Sequence, residues 1–140
     1  MQDKWMAAAL TEARKAYKKG EVPVGCVMVQ NQKIIARAHN LKETLSDPTA
    51  HAEILCLKKA AKKLGGWHLS RGVLYCTLES CLMCAGAIIE SRLKQVCFGA
   101  RAPRQRTVRW LKKSRIKIKS GVRQAECSRL LKDFFRDLRK

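Results

Sequence analysis

Negative charge is what this sequence has least of. Across 140 residues, 11 Asp and Glu face 30 Lys and Arg, leaving a formal net charge of +19 and a pI near 10.2. So one-sided a surface points to a polyanionic partner, and nucleic acid is the commonest polyanion a basic domain meets. No uninterrupted apolar stretch approaches the ~18 residues of a membrane-spanning helix. The first residues carry Asp3, Lys4 and Glu12 and lack the apolar run of a secretory signal. These absences argue against a membrane partner and lead to the expectation of a cytoplasmic protein. Repeats, low-complexity tracts and linkers are missing too. Residues 1–140 are therefore expected to form a single domain, and an apolar content of 46% suffices for its core.

An even set of cysteines is also lacking. There are 7, and Cys26, Cys56, Cys76, Cys97 and Cys127 sit among apolar neighbours. Such thiols behave as small hydrophobes in the core of a reduced protein. The positive charge that is present is uneven. Residues 101–140 hold 15 Lys/Arg against 3 acids, whereas residues 1–100 hold 15 against 8. The basic face is concentrated in the last third.

Helical and strand-like patterns alternate along the chain. Met6, Leu10, Ala13 and Tyr17 recur at helical spacing after a possible cap at Asp3, and Gly20 closes the pattern. Val22 to Val29 is a continuous apolar run typical of a strand buried on both faces, with Lys33 to His39 as its hairpin partner. After the polar loop 40–47, a second helix is expected past Pro48, with Thr49 as a possible cap, running to Gly65-Gly66. Gly72 to Leu78 and Gln95 to Ala100 read as strands, with a third helix between them that carries Cys81, Cys84, Ile88 and Ile89. Arg115 to Lys119 alternates as a short strand. Cys127, Leu130, Leu131, Phe134, Phe135 and Leu138 repeat at three and four as a last helix. This order predicts an α/β three-layer sandwich, with a mixed sheet of about five strands and helices on both faces.

The chemistry lies in two short stretches. Asp47-Pro48-Thr49-Ala50-His51-Ala52-Glu53 places an imidazole and a carboxylate two residues apart, and Cys81-Leu82-Met83-Cys84 places two thiols one helical turn apart. Positions i and i+3 share a helix face, so both thiols can reach one ion. His51 and Glu53 subtend about 200° on a helix, so both can face a common metal only if His51 lies at the helix start. Both segments then become helix N-termini, whose dipoles favour thiolate over thiol. His51, Cys81 and Cys84 make three zinc ligands, one short of a closed tetrahedron. One Zn2+ per chain with water or hydroxide as fourth ligand is the arrangement of a catalytic site, and Glu53 is the candidate proton shuttle. A structural zinc would need a fourth protein ligand from Cys76, Cys97 or His68, and the two cysteines fall inside predicted strands. Taken singly, the same residues read as a structural histidine and a thiol pair.

His-Ala-Glu followed by Cys-x-x-Cys resembles the signature of zinc-dependent nucleobase deaminases. More narrowly, Glu21-Val22-Pro23-Val24-Gly25, Asp47 to Glu53, Cys84 to Ile88, Ser91-Arg92, Phe98 to Arg101 and Glu126-Cys127 through Phe134-Phe135 resemble the bacterial tRNA-specific adenosine deaminases. The resemblance implies a sandwich of the cytidine-deaminase type, a homodimer, and conversion of adenosine to inosine at the wobble base of a tRNA. It further implies that Asn40 hydrogen-bonds the flipped base and that backbone around Val24 and Ala52 lines its pocket.

The chain departs from that family at two places. Ser80 stands where the family has Pro before the first metal cysteine. Ser is a good capping residue, so an intact site with modestly less rigidity is expected. Ala102-Pro103-Arg104-Gln105-Arg106-Thr107-Val108-Arg109-Trp110 replaces an Asp and a Gly-rich loop. Arg101, Arg104 and Arg106 are thereby expected beside the substrate, where arginine grips phosphate without reading sequence, and Trp110, if exposed, can stack a base. The altered loop keeps a second reading open: an adenine deaminase acting on single-stranded DNA. Deamination of cytosine in nucleic acid and a catalytically silent RNA-binding zinc module are the further alternatives.

Overall fold

Alternation along one strand sorts the chain into layers. In β1 (Gly25–Gln30), Cys26 and Met28 face one apolar cluster while Val27 and Val29 face another. The structure, a computed structural model, describes residues 2–139. The first cluster lies beneath α2 (Ala52–Leu64), α3 (Leu82–Ser91) and α4 (Val108–Lys113), whose Cys56, Leu57, Ile88 and Leu111 are buried in it. The second is closed by α1 (Gln2–Lys18) and α5 (Gln124–Leu138), through Met6, Leu10 and Cys127. The close approach of α1 to the sheet depends on Gly25. A Cβ there would lie 2.1 Å from the Ala9 carbonyl oxygen and 2.4 Å from the Ala13 nitrogen.

The remaining strands are β2 (Lys33–His39), β3 (Val73–Leu78), β4 (Gln95–Ala100) and β5 (Lys117–Lys119). They form a mixed five-stranded sheet in the order β2-β1-β3-β4-β5. β1 is antiparallel to both neighbours, whereas β3, β4 and β5 run parallel. The expected sandwich, with helices on both faces, is what forms. Crossovers through α3 and α4 bring the carboxyl ends of β3 and β4 to the same edge, where a parallel sheet places its binding crevice. Among the described residues, no helix is long and apolar enough to cross a membrane.

Three local expectations are corrected. Asp3 does not cap α1 but lies within its first turn, and its carboxylate accepts two bonds from Arg123 at 3.0 and 2.9 Å. Thr49 does not cap α2. Both its N–H and its hydroxyl donate to Asp47 Oδ1 at 2.8 Å, an Asx turn that holds it outside the helix, and His51 becomes the N-cap. Between β4 and β5 the chain forms a short 3-10 turn (Pro103–Gln105) and α4, which the sequence pattern did not announce. β5 is correspondingly shorter than Arg115 to Lys119.

Candidate metal centre and base pocket

Two helix starts converge on one point. His51 and Cys81 are the N-caps of α2 and α3, both with extended backbone and neither with a side-chain capping bond, so both side chains are free to turn toward the site. Cys84 follows in the first turn of α3. His51 Nδ1 lies 3.6 Å from Cys81 Sγ and 3.5 Å from Cys84 Sγ. With Zn–S near 2.3 Å and Zn–N near 2.0–2.1 Å, the N···S edge of a tetrahedral zinc site is ~3.6 Å, so the spacing fits zinc. Among the described residues these three form the group able to hold a metal ion, and no fourth protein ligand joins them. Cys76 and Cys97 are buried inside β3 and β4, and exposed His68 stacks on Trp67. The group therefore offers three ligand atoms, one short of a closed tetrahedral site.

The electrostatics agree with metal binding. A hydrogen bond from Cys84 lowers the Cys81 thiol to about 5, helped by His51 and by backbone N–H groups of the α3 start. Cys84 is pushed up by the same contact and by burial. Between them the two sulfurs readily lose one proton, and a cation would take the second. Glu53 lies one residue into α2 and is buried. That burial raises its carboxyl above the ordinary range, although its own backbone N–H and the Ser80 hydroxyl favour the anion. A raised carboxyl beside a cluster able to hold a metal ion is the kind of environment that suits a general acid–base group.

A cavity of about 240 Å³ opens beside this cluster. Val24, Asn40, Ala52, Glu53, His51 and Cys81 line it, as do Leu78, Glu79, Ala102 and Gln105. Asn40, Val24 and Ala52 thus share one cavity wall with His51, Glu53 and Cys81. Asn40 is buried and half committed: its amide donates to the Val22 carbonyl at 3.2 Å, and its oxygen accepts from the Lys42 N–H at 3.1 Å. One donor and one lone pair remain for a ligand. Arg101, Arg104 and Arg106 are exposed and outside the lining, which draws Ala102 and Gln105 from that loop instead. Trp110 is 52% exposed.

Residues to which the sequence reading gave no role complete the site. Buried Glu79 accepts from the Ala102 N–H at 3.3 Å, and buried Thr107 donates its hydroxyl to the Ser80 carbonyl at 2.7 Å. These bonds hold the loop 102–107 against the Cys81 segment. Glu21 accepts from the Glu43 and Thr44 N–H groups at 3.0 and 2.6 Å and so shapes the loop leading to His51. The signal for Glu79 and Glu21 was present: in a chain this poor in acids, a carboxylate inside an apolar segment has a partner to satisfy. Ser80 does not cap α3 as expected, because Cys81 takes that position. Its buried hydroxyl has no partner of ordinary hydrogen-bond geometry.

Comparison with known proteins agrees with this geometry. The family model described as MafB19-like deaminase matches residues 1–139. A tRNA-specific adenosine deaminase of Bacillus subtilis (strain 168) is 47% identical over 97% of the chain and 89% of its own length. One from Buchnera aphidicola subsp. Schizaphis graminum (strain Sg) is 39% identical over 96% of the chain and 94% of its own length. A solved structure from work on A-to-I editing by tRNA:A34 deaminases superposes with a TM-score of 0.85 at 35% identity, covering 91% of this chain and 99% of that one. With its three clustered side chains and a match along nearly its whole length, the chain belongs to the MafB19-like deaminase family and stands among the tRNA-specific adenosine deaminases.

Proposed function

We propose that the chain hydrolytically deaminates adenosine to inosine in tRNA, at the wobble position of the anticodon loop, with zinc held by His51, Cys81 and Cys84. The observation that carries the reading is buried Glu53 beside an open three-ligand cluster, on the wall of a pocket of about 240 Å³. That pocket is smaller than the ~300–1,000 Å³ sites that enclose drug-sized ligands, so it suits a single base extruded from its stack. Bound zinc supplies a water acidified to near neutrality. Glu53 is the group placed to accept a proton beside that position, deliver it to the ring, and carry a second one to the departing amine. Water is consumed and ammonia released. Asn40 uses its spare donor and lone pair to orient the base, and Val24 and Ala52 exclude solvent from it. Arg101, Arg104 and Arg106 grip phosphates around the rim.

Two copies are proposed to pair through the apolar face between α2 and α3. There Trp67 and Leu64 are exposed, and a cleft of about 390 Å³ is lined by Ile54, Leu57, Ala61 and Leu69. Light scattering would then read twice the 15.9 kDa chain mass. The catalytic reading is tested with Glu53→Gln on an anticodon stem-loop, reading inosine by nucleoside mass spectrometry and zinc by elemental analysis. The variant keeps its zinc and loses at least the ~10²–10⁴-fold typical of a positioned proton carrier. Retained turnover removes Glu53 from the mechanism. The deoxy counterpart of the same hairpin is the second substrate to offer, because rim arginines meet phosphate and not the 2′-hydroxyl.

A further inference from the structure

Charge at the other end of the sheet is unaccounted for by the catalytic pocket. From Ser91 to Ala125 the sequence contains no Asp or Glu and 12 Lys or Arg. This stretch does more than rim the site. From Thr107, anchored beside Cys81, α4 carries Arg109, Lys112 and Lys113 back along the sheet to Ser114 and Arg115, and β5 then starts level with the start of β4. There, a cleft of about 500 Å³ is lined by Arg92, Lys94, Arg115 and Lys117, with Ser114 and Ile116. All four cations are exposed, and among the described residues none is in an ion pair.

The cleft is built, not incidental. Arg92 and Arg115 both have left-handed backbone, φ 62° and 64°, where glycine is the default, and both end helices that frame the cleft. Helix carbonyls partly compensate those two charges. Lys94 immediately precedes β4 and Lys117 opens the parallel β5, with the Lys117 N–H donating to the Lys94 carbonyl at 3.2 Å. Two lysines lining one cleft without an acid repel each other unless an anion lies between them.

We propose that this cleft is a second phosphate-binding surface, which takes the backbone of the stem that carries the target loop. Its position sets the distance. β4 has 6 residues and so spans ~20 Å from the cleft to the catalytic edge, a distance that a short helical stem can bridge. Between the two ends, Arg109, Lys112 and Lys113 continue the track, and Lys113 Nζ lies 5.5 Å from the Trp110 ring centroid. The loop base enters the pocket while the stem lies along α4 and ends on the cleft. This inference rests on the tRNA reading above.

The test is the salt dependence of RNA binding by the full chain and by Lys94→Gln/Arg115→Gln/Lys117→Gln. The probes are a hairpin with a six-pair stem and a loop-only oligonucleotide of the same loop sequence. Each phosphate contact contributes about 0.9 to the slope of log K against log salt, so the triple variant should lose roughly 2–3 from the hairpin slope. The loop oligonucleotide slope and the turnover number at saturating hairpin should stay unchanged. Lys94→Gln and Lys117→Gln alone should each remove about 0.9, which keeps the test valid if the triple variant melts early. An unchanged hairpin slope overturns the surface, and an equal loss on both probes overturns the assignment to the stem. A full chain that binds the hairpin through these cations yet makes no inosine overturns the deaminase reading and leaves this surface standing.

Discussion

One of the two hydrogen bonds that hold the loop 102–107 to the Cys81 segment is fully buried, and Thr107→Val removes it with little change of shape. Thr107 and Ser80 are both 0% exposed, and the hydroxyl donates to the Ser80 carbonyl at 2.7 Å. Although Thr107 caps α4, its hydroxyl makes no capping bond. The substitution therefore takes away one interaction rather than two. A buried carbonyl deprived of its donor costs about 1–3 kcal/mol. For a chain of this size that is a fall in melting temperature of about 4–12 °C. The catalytic signature should be specific. Ala102 and Gln105, held in place by this anchor, line the base pocket, whereas His51, Cys81 and Glu53 are placed by helix starts that do not depend on it. KM for the stem-loop should rise more than kcat falls, and zinc content should not change. Thr107→Ser keeps the hydroxyl and should recover most of both losses. A Val variant that melts within about a degree of the parent with unchanged KM refutes the anchoring role.

Three further perturbations test other links. Cys84→Ala removes a ligand from a cluster whose N···S spacing fits zinc, so elemental analysis should find the metal lost and the melting temperature lowered; one zinc still held per chain refutes the assignment. Gly25→Ala puts a Cβ against the Ala9 carbonyl at 2.1 Å, and the backbone on both sides cannot yield without moving α1 off β1. A loss of ~3 kcal/mol or more is expected in urea unfolding, at the upper end of ordinary overpacking, and a neutral variant would mean that α1 shifts freely. Glu21 titrates with a definite sign. Burial alone would raise its carboxyl, but bonds from Thr44 and Glu43 override that and hold it below the ordinary range. Its stabilisation is present above the unfolded value of 4.5 and is lost as pH falls through the lowered folded value. Glu21→Gln should thus destabilise by roughly 1–3 kcal/mol at pH 7, with the gap to the parent closing at acid pH; a gap that does not depend on pH removes the charge from the explanation.

The sequence was most legible where one physical requirement dominates. Val22 to Val29 reads as a strand buried on both faces, and β1 forms over its later part and one residue beyond, at Gly25–Gln30. His51 and Glu53 cannot share a helix face, so a site that uses both requires His51 at the helix start, and it is the N-cap. Legibility failed where two local choices compete. Thr49 is as good a capping residue as any, but Asp47 lies two residues earlier and captures both of its donors. It failed again where an element is too short to show a period. α4 has 6 residues, with only Leu111 buried in the core, so its pattern cannot be told from that of a loop. The placement of Arg101, Arg104 and Arg106 depended on that missed helix. Once Thr107 anchors its start, the preceding loop turns Ala102 and Gln105 inward and leaves the arginines outside.

Chemistry and selectivity are thus built from different physics within one short segment. The metal cluster depends on two N-caps whose positions follow from sheet order, since β2 and β3 must deliver their helices to the same edge. Nothing in the loop 102–110 contributes a ligand. Access to the cluster depends on that loop, which is held to Glu79 and Ser80 immediately before Cys81. A change in the loop can therefore alter which strand reaches Glu53 without moving His51 Nδ1 from its 3.5 and 3.6 Å distances to sulfur. Arg104 and Arg106 belong to the loop and not to the cluster. Replacing Arg104 and Arg106 by glutamine should accordingly weaken binding of RNA and DNA hairpins alike and flatten its salt dependence by roughly 2, while zinc content and kcat at saturation stay as they were.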